Sequence, residues 1–143
     1  ATTLDHSYTQ PFPKELFKAN HSQSKAMTIE YLSVVPELRK SELGISLGDV
    51  LLGLSMKIFK QSQADFVLGT ARKKIHVDEM CYRFGFEPAG EIEKFGLYCA
   101  LIINKQNQLK EHPNSVTSNL INKLWTNRVD VSENTYFPDR RAA

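Results

Sequence analysis

Thr28-Ile29-Glu30-Tyr31-Leu32-Ser33-Val34-Val35, then the polar turn Pro36 to Ser46 and the apolar run Leu47 to Lys60, decide how this chain is read. The eight residues are rich in β-branched and aromatic side chains and predict a strand. The turn holds Ser41-Glu42-Leu43-Gly44-Ile45-Ser46, with its glycine just ahead of a helical pattern from Leu47 to Lys60. That order aims the unpartnered amides of a helix start into the space beside a strand end, where an anion can sit. Downstream, Ala64 to Ala71 reads as a buried strand and Val77 to Phe84 as a short helix stopped by Gly85. Phe86–Ile92 and Leu97–Asn104 read as extended runs joined across Glu93-Lys94-Phe95-Gly96. The expected fold class is α/β with a mixed sheet. Strands 28–35 and 65–71 should be parallel neighbours linked right-handedly by helix 47–60, and the 86–104 hairpin should extend the sheet.

Composition agrees with a globular domain. The chain has 143 residues, 41% apolar and 24% charged, enough for one domain with a core. A net charge of +2 with dispersed lysines and arginines argues against a nucleic-acid partner. Cys81 and Cys99 have no metal-like spacing, and the four histidines (His6, His21, His76 and His112) are scattered, so no metal is expected. No run approaches the ~18 apolar residues of a membrane span, and no leader pattern is seen; a cytoplasmic protein with two free thiols is expected.

The expected organisation is an N-terminal extension over 1–26, a core over 27–104, and a loop, helix and tail over 105–143. Lys14 to Ala19 suggests a helical turn or two. Val116, Leu120, Leu124 and Arg128, flanked by Ile121 and Trp125, predict a C-terminal helix over 116–128 with one apolar face.

The turn before the long helix has two readings. Gly44 and Gly48 allow close backbone approach to an anion, and Arg39, Lys40, Arg72, Lys73 and Lys74 flank the strand ends. Equally, Ser46-Leu47-Gly48-Asp49 fits a capping box that satisfies the helix amides internally. In the short helix, Val77, Met80, Cys81 and Phe84 form a stripe expected to face the sheet. Tyr82 falls about 200° from Met80, with Asp78 and Glu79, on the expected surface side.

The element order, Val34-Val35-Pro36-Glu37-Leu38-Arg39, the Gly44-Ile45-Ser46 turn, and Met80-Cys81-Tyr82-Arg83-Phe84-Gly85-Phe86-Glu87 together resemble the acyl-CoA N-acyltransferase (GNAT) superfamily over residues 27–104. The resemblance implies a bulged strand, a pyrophosphate-holding turn and a Gly-Phe that ends a helix over a thioester. Cofactor-binding positions then fall on Val34, Arg39, Gly44 and Ile45, and on Ser46, Gly48 and Arg72. Ser41 and Ser46 replace an Arg or Gln and a small glycine usual in that turn, and Cys81 stands where many members have a tyrosine acid, with Tyr82 one place later. The implied donor is acyl-CoA or an acyl carrier protein, the latter through a weaker similarity to N-acyl amino acid synthases and autoinducer-synthase-like members. The implied acceptor is an amine.

Attack of an amine on a thioester needs a base, an oxyanion donor and an acid for the thiolate. Glu30, the one carboxylate in its strand, is the candidate base, expected to face an apolar environment that raises its pKa. An exposed strand glutamate is the equal alternative, and His76 is a second candidate base. Amides near Leu32 to Val34 are the candidate donors, and Cys81 and Tyr82 the candidate acids, although core packing also accounts for Cys81. Two other functions stay open: a GNAT-like binding module without catalysis, and an interaction module completed by a partner or second copy. Because so little precedes Thr28, an oligomer or a truncated fragment is expected.

Overall fold

The structure, a computed structural model, describes residues 12, 14, 23–30, 32–39 and 44–130. Strand β1 (Ala26–Ile29) is followed by helix α1 (Leu47–Ser62), β2 (Phe66–Arg72), the short α2 (Val77–Tyr82), the hairpin β3 (Glu87–Lys94) and β4 (Leu97–Lys105), and α3 (Ser115–Thr126). The sheet order is β1-β2-β4-β3. Strands β1 and β2 are parallel, from Ala26 opposite Phe66 to Ile29 opposite Gly69, while β4 runs antiparallel to both β2 and β3. The expected parallel pair and hairpin extension are therefore present in a mixed α/β sheet. Of the suggested turn over Lys14 to Ala19, only Lys14 is described, and it is helical.

The first strand differs from expectation. It ends at Ile29, and none of the described residues from Glu30 to Val35 belongs to the ladder. Strand propensity measures fit to a half-buried pleated surface, and Leu32, Ser33 and Val35 are exposed instead. The chain turns away at Pro36–Leu38, where the Arg39 Nε donates to the Val34 carbonyl at 2.6 Å.

Strict alternation on β2 and β4 builds two apolar layers. Val67, Ala71, Ala100 and Ile102 face the helices, where Phe59, Met56 and Phe84 pack on them. Phe66, Leu68, Leu101 and Ile103 form the other face, covered by Phe12, which is fully buried. Burial on both faces explains why β2 and β4 are nearly continuous apolar runs.

Helix α3 also differs. Its buried residues are Thr117 and Ile121, while Val116 and Leu124 are exposed. The contact is set by Gly53 on α1: a Cβ there would lie 2.3 Å from Ile121 Cδ1. The absent side chain draws α3 in along the Ile121 line, rotated from the face that apolar spacing alone selects. Ile121 thereby joins the main core.

Candidate functional site

Where β1 leaves the sheet, β2 continues for three residues, and Thr70–Arg72 has a described strand partner only in β4. A cavity of about 560 Å³ opens there, within the range of small-molecule sites. One wall is the departing segment, with Ile29, Glu30, Leu32, Ser33 and Val34. The facing wall is Gly69, Thr70 and Arg72. Helix α1 contributes Leu47, Gly48 and Leu52, and the α2 region Ile75, Val77, Met80 and Cys81. The hairpin closes one end through Lys94, Phe95, Leu97 and Cys99. These hairpin residues were not anticipated. Their signal was the placement of the 93–96 turn beside the end of β2, which only the strand order reveals.

Ser46 is the N-cap of α1, and its Oγ accepts from the Asp49 amide at 3.2 Å. Only that half of the expected capping box is present. The Asp49 carboxylate instead accepts from Arg83 Nη2 at 2.8 Å. Among the described residues the amides of Leu47 and Gly48 have no protein acceptor, as befits the first positions of a helix. Gly48 is spared a side chain that would come within 3.1 Å of Met80 Sδ. Gly44 has φ +66 with open space around it, so its requirement is conformational and not one of contact. Gly44 and Ile45 do not line the cavity; Ile45 packs against the main core. Lys40 and Ser41 lie outside the described residues.

Three basic side chains, Arg39, Arg72 and Lys94, line the cavity together with one carboxylate, Glu30. Lys73 is directed elsewhere, paired with Glu91, which also accepts from the Tyr98 hydroxyl. Glu30 lies just beyond the end of β1 and is exposed, so the apolar strand setting expected for it is not what surrounds it.

Cys81 is buried in the cavity wall as its helical stripe requires. Burial pushes its thiol up to about 12, with the neighbouring Asp78 charge acting in the same direction. It stays protonated and non-nucleophilic at neutral pH. Tyr82 does not line the cavity; it is half-buried against the core edge, and burial also raises its phenol. Asp78, expected at the surface with Tyr82, is buried. His76 is exposed and ion-paired with Glu79 at 3.0 Å, away from the cavity lining.

Among the described residues no group of three or more His, Cys, Asp or Glu side chains could hold a metal ion. No helix among them is long and apolar enough to cross a membrane. Comparison with family models, characterised proteins and solved structures finds no match to this chain.

Proposed function

We propose that the cavity binds an acyl thioester, acyl-CoA or an acyl-carrier-protein thioester, and that the protein is a GNAT-like N-acyltransferase passing the acyl group to an amine. The observation that carries this reading is the coincidence of four features in one cleft. These are the amides of Leu47 and Gly48 and the strand edge at Thr70–Arg72, all without a partner on that side among the described residues, the basic side chains Arg39 and Arg72, and an apolar interior. An anionic group at the start of α1 would accept its amides and gain from the helix dipole, worth ~0.3–1 kcal/mol per charge. A chain carrying its own amides can add to the β2 edge as a strand would. The apolar wall of Leu52, Val77, Met80 and Phe86 suits an acyl chain.

The chain's own residues divide the chemistry. Glu30, in water at the cleft mouth, takes a proton from the incoming ammonium. Backbone amides of the 32–34 segment, which lies outside the sheet ladder and lines the cavity, would donate to the developing oxyanion. Cys81 is a poor acid: with its thiol near 12, protonating a thiolate of ordinary basicity is uphill by about 4 kcal/mol. The thiolate therefore leaves as the anion, with the second ammonium proton passing to solvent, and it takes up a proton only after release, according to the pH of the medium.

A second reading is favoured by that same residue. With Cys81 held protonated and Tyr82 outside the cleft, the site lacks an internal acid, as a binding module would. Titration calorimetry with coenzyme A and a long-chain acyl-CoA tests binding. Arg39→Gln and Arg72→Gln should each weaken it about tenfold and flatten its salt dependence. Absence of binding below about millimolar for both ligands rejects the acyl-CoA donor, and titration with an acylated carrier protein decides the remaining one. Glu30→Gln then separates the readings: an enzyme loses about 10²-fold or more in turnover with binding intact, whereas a module has no turnover to lose.

A further inference from the structure

A second cavity, of about 100 Å³, lies between α1, α3 and the segment 109–112, and the acyl-donor reading makes no use of it. Its floor is apolar, formed by Gly53, Met56, Phe84, Leu109 and Ile121. Its rim is not. Lys57 and Lys60 come from α1 and Lys110 from the loop, against the single carboxylate of Glu111. None of these three lysines makes an ion pair among the described residues. Ser118 and Asn122, one turn apart on α3, add neutral polar groups.

His112 gives the cavity a second distinguishing feature. Its side chain is only 7% exposed. Nδ1 accepts from the Asn114 amide at 3.1 Å, so the neutral ring carries its proton on Nε2. That N–H has no hydrogen-bond acceptor. The nearest carboxylate oxygen, Asp49 Oδ2, is 3.5 Å away, too long for a good hydrogen bond, while Arg83 holds the other oxygen, Oδ1, at 2.8 Å. A buried donor without an acceptor is rare in folded proteins and asks for an explanation.

We propose that this cavity binds a small organic anion, specifically a short-chain carboxylate. Its head lies among Lys57, Lys60 and Lys110, and its apolar body rests on the floor of Met56, Phe84 and Ile121. The room available suits a body of a few carbons, and the apolar floor has nothing to offer a bare oxyanion such as phosphate. Flexible lysines around an apolar base gather charge without the fixed fork that a bidentate arginine site would impose. This inference is independent of the acyl-donor reading.

The test uses the full chain with sodium butyrate, sodium phosphate and sodium chloride at equal ionic strength, read by thermal melting and by NMR shifts. Butyrate is expected to raise the melting temperature saturably and to move the His112 ring and the Ser118 and Asn122 amide signals. Lys57→Gln and Lys110→Gln, both changes at the rim, should each weaken that response about tenfold. Butyrate indistinguishable from salt-matched chloride overturns the site. A response unchanged in both variants overturns the lysine cluster as its cause. Phosphate saturating at lower concentration than butyrate overturns the carboxylate assignment.

Discussion

Asp49 occupies the first turn of α1 and is nearly buried, so its charge must be answered within the protein. Arg83 does so at 2.8 Å, tying the end of α2 to the start of α1. Arg83→Gln should destabilise the fold by about 2 kcal/mol, less than the ~3–5 kcal/mol of a fully buried pair because Arg83 is 39% exposed. Urea unfolding measures this, and an unchanged midpoint would show the pair to be idle. Cys81 makes a prediction of opposite character. Its thiol ionises near 12 when folded and near its ordinary 9.0 when unfolded. Between those values the folded state keeps a proton that the unfolded state has released. The stabilisation is complete below pH 9 and declines as pH rises toward 12, by about 4 kcal/mol in all. Cys81→Ala should lose about 1 kcal/mol at neutral pH through a small void. It should show a shallower alkaline decline than the parent when denaturation is followed from pH 8 to 11. Parallel curves would mean that the thiol does not carry the linkage.

Two glycines fix how the elements pack. Gly85 has φ +94, and a Cβ there would lie 2.0 Å from the Gln108 carbonyl oxygen, a backbone atom that cannot swing aside. Gly85→Ala should therefore cost more than about 3 kcal/mol, against about 1 kcal/mol for Gly44→Ala, where only the left-handed conformation is at stake. Melting of the two variants side by side tests the ordering. Gly53 acts through a side chain, so its effect is separable. Gly53→Ala should be destabilising alone and partly rescued by Ile121→Ala, with a coupling of about 1–2 kcal/mol in a double-mutant cycle. Additive effects would deny the contact. These glycines also mark where the sequence stops being legible. The helix over 47–60, the buried runs of β2 and β4, and the Glu93–Gly96 hairpin were readable because each has a strong period or a turn residue. The end of β1 was not. Val34 and Val35 have as much strand propensity as Ile29, yet β1 stops at Ile29 although β2 runs on to Arg72, so propensity does not mark the end. The buried face of α3 was equally hidden, since Val116 and Leu124 lose to Thr117 and Ile121 through a glycine on a different helix. Of the positions that the family resemblance implies, Cys81, Val34, Arg39, Ser46, Gly48 and Arg72 line the cavity. The hairpin wall of Lys94, Phe95 and Leu97 required the strand order.

The sheet as a whole has two unlike edges. On one side β3 carries Glu87, Glu91, Glu93 and Lys94, with Pro88 and a register shift between Pro88 and Gly90. Charges, a proline and an irregularity are the devices that keep an edge from pairing. On the other side β1 is the four residues Ala26-Met27-Thr28-Ile29, without a charge, and among the described residues it pairs only with β2. Among the described residues, β1 itself carries none of these devices, which suits growth of the sheet past it. We expect a second copy of the chain to pair there, giving an association that rises with concentration in sedimentation equilibrium. Ala26 is exposed on that strand, so Ala26→Lys should disfavour pairing through charge repulsion while leaving the protomer's core untouched. The variant should melt at the parent's temperature when dilute and remain monomeric when concentrated. If the parent is monomeric at every concentration examined, the edge does not recruit a second copy. If parent and Ala26→Lys associate equally, the contact lies on another surface, and exposed residues of α3 such as Val116 and Leu124 become the place to substitute next.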